Sequence, residues 1–234
     1  TALDKKTGKA RWRRSHEARS PKRKRDNAES TPLIIQTPAG EQLICNVAGR
    51  VLAYEPRTGK SLWSVRQDEN YAQVPRPVHG HGLLFTAGGY FSPVVHAIRP
   101  GGQGDVTASH VVWSVKKGVP HNPSPLLVGE ELFLVSDKGV GSCLDARTGK
   151  LHWQQRLGGN FSSSPIFADG RIYLANEQGT TIVLAPGTRF QKLATNKLDG
   201  RILASPAVSG KAIYLRTDHH LYRIERKPAR PRRE

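Results

Sequence analysis

The chain has 234 residues, room for one large or two small domains, and carries 36 Lys and Arg against 19 Asp and Glu, a formal charge of +17. Apolar residues make up 37% and charged residues 24%, a globular balance that excludes a disordered chain, and no apolar run is long enough for a membrane-spanning helix. With 23 Gly and 16 Pro, turns must be frequent and the fold β-rich, while two Cys are too few for a disulfide scaffold.

Read from the N-terminus, residues 1–4 and 9–14 are two short strands around Asp4-Lys-Lys-Thr-Gly-Lys9. A basic stretch overlaps the second: from Lys9 to Arg25 there are nine Lys and Arg against one acid, Glu17. Residues 15–28 are expected to be a basic inserted loop on a domain spanning 1–226. Charge runs without interleaved aromatic residues seldom read nucleic acid, so a solvated loop is the expectation and nucleic-acid binding is not. Four-stranded units are expected at 29–66, 74–116, 119–156 and 160–197, and a fifth unit from Arg201 supplies strands near 205–208, 212–216 and 220–224. Residues 227–234, with Pro228 and Pro231, have no apolar period and read as a basic disordered tail. Lacking any Met and any signal peptide at Thr1, the sequence is expected to be a processed or truncated piece.

The units are copies of one another. Ala2-Leu-Asp-Lys-Lys-Thr-Gly-Lys-Ala-Arg-Trp12 recurs as Ala53-Tyr-Glu-Pro-Arg-Thr-Gly-Lys-Ser-Leu-Trp63 and as Cys143-Leu-Asp-Ala-Arg-Thr-Gly-Lys-Leu-His-Trp153. A fourth copy runs from Ala97 to Trp113 through a longer loop, so all four Trp occupy one slot. A proline opens a short apolar strand at Pro32, Pro77, Pro125, Pro165 and Pro206, and in the last four an aromatic follows eight residues on, at Phe85, Phe133, Tyr173 and Tyr214. Four short strands per repeat of roughly 40–50 residues is the arithmetic of a propeller blade. Gly in Thr-Gly supplies the positive φ of a tight turn, and the acid three residues before Thr can accept turn amides. Trp12, Trp63, Trp113 and Trp153 are expected to wedge between neighbouring sheets as structural inter-blade residues.

This pattern resembles the pyrroloquinoline-quinone (PQQ)-like β-propeller repeat, shared by quinoprotein dehydrogenases and BamB-like proteins. The resemblance covers nearly the whole chain. It implies an all-β propeller of four-stranded antiparallel blades, with about five blades or part-blades present as the C-terminal portion of a seven- or eight-bladed ring; a closed five-bladed ring is the alternative. It further implies a periplasmic or cell-envelope location in bacteria.

For a quinoprotein dehydrogenase the resemblance would imply a vicinal disulfide, a tryptophan floor, calcium ligands and a catalytic Asp. Cys45 and Cys143 are far apart, every Trp is used by the repeat, and no position matches the catalytic motif. No catalytic, cofactor-binding or metal residue is therefore assigned; PQQ and calcium belong only to the alternative of a PQQ-dependent alcohol or sugar dehydrogenase fragment. His79 and His81 fall on a turn between strands, and Gly101-Gly-Gln-Gly-Asp105 follows a strand without opening a helix, which argues against a phosphate cradle. The leading expectation is a non-catalytic platform for a protein partner. Its irregular loops, at one end of the ring, carry Arg76, Tyr90, Arg99 and Asp105 as candidate contact residues.

Overall fold

The structure, a computed structural model, describes residues 1–14, 27–67, 72–90 and 92–225. The tail at 227–234 and nearly all of the inserted loop at 15–28 lie outside the described residues. In chain order the first strands are β1 (Ala2–Leu3), β2 (Ala10–Trp12) and β3 (Asn27–Ala28). Blade 1 follows as β4 (Leu33–Thr37), β5 (Gly40–Val47), β6 (Arg50–Tyr54) and β7 (Ser61–Arg66). After β8 (Ala72–Gln73), blade 2 runs β9 (Val78–Gly80), β10 (Leu83–Gly88) and β11 (Val94–Ile98). A loop with β12 (Gly104–Asp105) and the one-turn helix α1 (Thr107–His110) then leads to its outer strand β13 (Val111–Val115). Blade 3 is β14 (Leu126–Val128), β15 (Glu131–Val135), β16 (Val140–Asp145) and β17 (Leu151–Arg156). Blade 4 is β18 (Ile166–Ala168), β19 (Arg171–Ala175), β20 (Thr180–Leu184) and β21 (Lys192–Lys197). A three-stranded fifth sheet is β22 (Ala207–Ser209), β23 (Ala212–Arg216) and β24 (Leu221–Glu225).

Each blade is an antiparallel meander, the geometry that short turns between consecutive strands impose. The first strands are innermost: β14 lies against β9 on one side and β18 on the other. Each opening proline stands immediately before its strand, where it interrupts no ladder hydrogen bond. Middle strands are buried on both faces, β10 along its whole length. The cores accordingly lie between sheets: Trp63, Leu84 and Ile98 between blades 1 and 2, Phe85 and Leu132 between 2 and 3, and Cys143 and Ile172 between 3 and 4. A fully buried Leu or Ile contributes about 1.5–3 kcal/mol, so junctions rather than single blades hold the molecule together.

Two features depart from a uniform propeller of four-stranded blades. Blade 1 has five strands, because β12 from the blade 2 loop adds in parallel to β7, with Gly104 opposite Trp63 and Asp105 opposite Ser64. The expectation that nothing helical follows the glycine run is corrected by α1. The Asp105 carboxylate accepts from the Thr107 amide and hydroxyl at 3.0 and 2.5 Å, and His110 N donates to Val106 O at 2.9 Å, closing one turn. Among the described residues, β1 and β2 pair only with each other and β24 pairs only with β23, so the closed five-bladed alternative is not the arrangement observed.

Candidate functional site

The meander gives the molecule two faces. The connections between first and second strands and between third and fourth strands share one, here the turn face. Those between second and third strands, and from one blade to the next, share the other, the crossover face.

On the turn face each Thr-Gly-Lys turn is built alike. The Asp145 carboxylate accepts from the Thr148 amide at 2.8 Å and its hydroxyl at 2.7 Å, while Gly149 N donates to Asp145 O at 2.9 Å. Asp4 and Glu55 do the same around Thr7 and Thr58. These bonds hold the acids below the usual carboxylate range; for Glu55 and Asp145 the threonine hydroxyl is the largest cause, and for Asp4 it is Arg11. The turn between third and fourth strands, Thr-Gly-Lys in blades 1 and 3 and Ala185-Pro-Gly187 in blade 4, receives the tryptophan of the preceding blade. Trp12 Nε1 donates to Pro56 O at 2.9 Å, Trp113 Nε1 to Ala146 O at 3.1 Å and Trp153 Nε1 to Gly187 O at 3.1 Å. The turn glycines sit beneath the rings: a Cβ on Gly59 would lie 2.6 Å from the Trp12 indole, and one on Gly149 2.7 Å from that of Trp113. Trp63 differs because blade 2 has the long loop instead of this turn. Its Nε1 donates to Gln42 Oε1 at 2.9 Å within its own blade, and Val106 of the loop covers it.

A repeat feature of the crossover side was not read from the sequence. The residue before the opening proline of blades 2, 3 and 4 donates its amide to the serine hydroxyl of the next unit: Arg76 N to Ser124, Ser124 N to Ser164 and Ser164 N to Ser205, each at 2.9 Å. The opening prolines were visible in the sequence, but a hydroxyl bonding forty residues away leaves no local signal.

The four candidate contact residues do not share one end of the ring. Arg76 and Tyr90 lie on the crossover face, Tyr90 60% exposed with its ring edge-on to His121 at 6.4 Å. Arg99 begins the blade 2 loop on the turn face, its amide donating to His110 O at 2.8 Å. Asp105 lies beside β7 on the outer edge of blade 1, ion-paired with Arg66 at 2.9 Å. The separation follows from strand alternation: one loop leaves a third strand and the others leave second or fourth strands. A cavity of about 430 Å³ is lined by Tyr90 and by residues including Ala72, Val74, His121 and Lys138.

Cys45 on β5 and Cys143 on β16 are free thiols in different blades, so no vicinal pair is available for a quinone site; burial pushes both thiols up, Cys143 to about 12. Among the described residues, no group of three or more His, Cys, Asp or Glu side chains could hold a metal ion. His81 instead ties blade 2 to blade 3, its Nε2 2.8 Å from Gly129 O. No helix of the described residues is long and apolar enough to cross a membrane.

Comparison with known proteins follows this geometry. The family model described as outer membrane protein assembly factor BamB matches residues 1–94 and again 94–190. BamB of Legionella pneumophila (strain Paris) is 25% identical over 202 residues, 82% of this chain and 49% of that protein. BamB of Burkholderia pseudomallei (strain K96243) is 29% identical over 109 residues, 45% of this chain and 28% of that protein. The chain thus matches half or less of the length of these relatives. The crystal structure of BamB from Moraxella catarrhalis superposes with a TM-score of 0.67 at 13% identity, covering 94% of this chain and 64% of that one. Quinohemoprotein alcohol dehydrogenase from Comamonas testosteroni superposes with a TM-score of 0.65 at 13% identity, covering 86% of this chain and 41% of that one. At that identity the two structures establish a β-propeller fold and carry no chemistry across.

Proposed function

The chain belongs to the family of the outer membrane protein assembly factor BamB, and from that premise we propose that it is a non-catalytic propeller of the bacterial cell envelope, periplasmic in location, whose surface connections bind a protein partner. The observation that carries this reading is what the repeat does with its reactive groups. Its acids cap turns, three indole N–H groups bond the next blade and the fourth bonds within its own, and its two thiols are separate. Such a set joins blades and leaves a rigid scaffold with variable connections, the arrangement on which binding surfaces are built. The family description, outer membrane protein assembly, supports a role among other envelope proteins.

The rival reading, a fragment of a PQQ-dependent alcohol or sugar dehydrogenase, shares the fold and differs in outcome. After incubation with PQQ and calcium, the purified chain is expected to reduce no dye with alcohols or sugars, and the same chain, cross-linked in its native envelope, to copurify with a discrete partner. Turnover above the protein-free control, or repeated recovery without a partner, overturns the proposal.

A further inference from the structure

Ion pairs occur on both faces, Arg201 with Glu177 among them on the crossover face. On the turn face, Arg11, Arg147 and Arg171 are paired with Asp4, Glu130 and Asp169 at 2.7, 2.9 and 2.8 Å. On the crossover face near the junction of blades 2 and 3, the exposed side chains of Arg76, Lys116, Lys117, Lys138 and Arg156 have no carboxylate within ion-pair distance among the described residues. The one described carboxylate in the cavity there, Asp137, is taken up by backbone and amide donors. It accepts from His121 N at 2.6 Å, Asn122 N at 3.2 Å and Asn122 Nδ2 at 2.6 Å. Asp68 and Glu69, on the connection that leads to this corner, lie outside the described residues.

Of these cations Lys138 lines the 430 Å³ cavity, whose wall also includes Tyr90, Ala72, Val74 and Gly89, and the other four stand on connections and strand ends of the same face. The recess has the size of one or two side chains, and its apolar wall would gain from burying one of them. We infer that this corner of the crossover face is a docking site for an acidic segment of a partner protein, which inserts one aromatic or branched apolar side chain beside Tyr90. The inference rests on the platform reading above and names the chemistry of its partner. A membrane surface would be met by basic residues on a flat or convex patch, not around a recess. Nucleic acid would call for a track of stacking rings, and among the described residues the cavity is lined by one tyrosine and the His121 ring.

The test uses the full chain and a fluorescent peptide of alternating Asp and Glu around a central Phe. Its comparators are the Asn/Gln analogue, vesicles rich in anionic phospholipid and a single-stranded oligonucleotide. The acidic peptide is expected to bind, and to lose on the order of tenfold in affinity with the pair Lys138→Glu and Arg156→Glu, as like charges replace opposite ones. The matched pair Lys60→Glu and Lys150→Glu on the turn face is expected to leave binding unchanged. Tyr90→Ala is expected to weaken binding at high salt as well as low, because the apolar anchor is not screened. Equal binding of the Asn/Gln analogue, equal loss from the turn-face pair, or preference for vesicles or oligonucleotide overturns the inference. If the crossover-face variant still retains the native envelope partner while the acidic peptide fails to bind, this inference falls and the platform reading stands. Loss of the partner by wild type itself removes the platform reading.

Discussion

Gly149 and Trp113 are a tight residue pair of the repeat that joins two blades. The glycine has φ +72°, where a side chain is strained, and a Cβ there would meet the indole at 2.7 Å. Gly149→Ala should therefore destabilise by about 2 kcal/mol through strain and clash, and Trp113→Ala by about 3 kcal/mol through lost burial. The double variant should cost clearly less than the sum, because removing the ring removes the clash; denaturant unfolding of all four forms measures this, and strict additivity would contradict the contact. His96 supplies a second residue-scale outcome. Burial, with Lys116 nearby, pulls its imidazole down from 6.5 to about 4, and its Nδ1 lies 2.7 Å from Ser114 Oγ. Between those values the unfolded chain binds a proton that the folded chain refuses, so this contribution is intact above about pH 6.5 and declines towards pH 4. Over that window His96→Gln should abolish about 2 kcal/mol of pH-dependent loss, read by urea unfolding across a pH series; an unchanged slope would show that other groups set it.

At the scale of the element, the loop between β11 and β13 acts as an outer cover on blade 1. Val106 is 5% exposed and packs in the cluster of Trp63, Val106 N donates to Ser64 O at 2.9 Å, and Thr107 Oγ1 accepts from Arg66 N at 2.8 Å. Val106→Ala should cost about 1–2 kcal/mol, shift Trp63 fluorescence to the red and speed amide exchange at Arg66, while exchange within β19 and β20 stays unchanged. Uniformly faster exchange would show that the cover acts on the whole molecule. The contrast with the other blades marks what was legible in the sequence. Pro77, Pro125, Pro165 and Pro206 each stand directly before the strand they announce, and the meanders follow from period and turn chemistry. β12 and α1 were not legible, because a two-residue parallel pairing and a helix closed by Asp105 and Val106 depend on where blade 1 sits, not on local pattern. The site was legible in part for the same reason. Tyr90 and Arg76 could be assigned to loops, but strand alternation, which puts Arg99 on the other face, becomes visible only once the strands are placed.

For the whole molecule, repeated junctions make a stiff stack, and the unevenness lies on its surface. Both faces spend acids on their own turns and carry ion pairs, and the crossover face near blades 2 and 3 adds exposed cations without a carboxylate partner among the described residues, of which Lys138 lines an apolar recess. A binding role assigned to that face accounts for both the charge and the recess without calling on the indoles, which are occupied between or within blades. The most direct measurement is in-envelope photo-cross-linking with the photoreactive residue placed either at Tyr90 on the crossover face or at Lys60 on the turn face. A discrete protein adduct from position 90 with none from position 60 is the predicted result; adducts from position 60 alone, or none from either, would contradict the account.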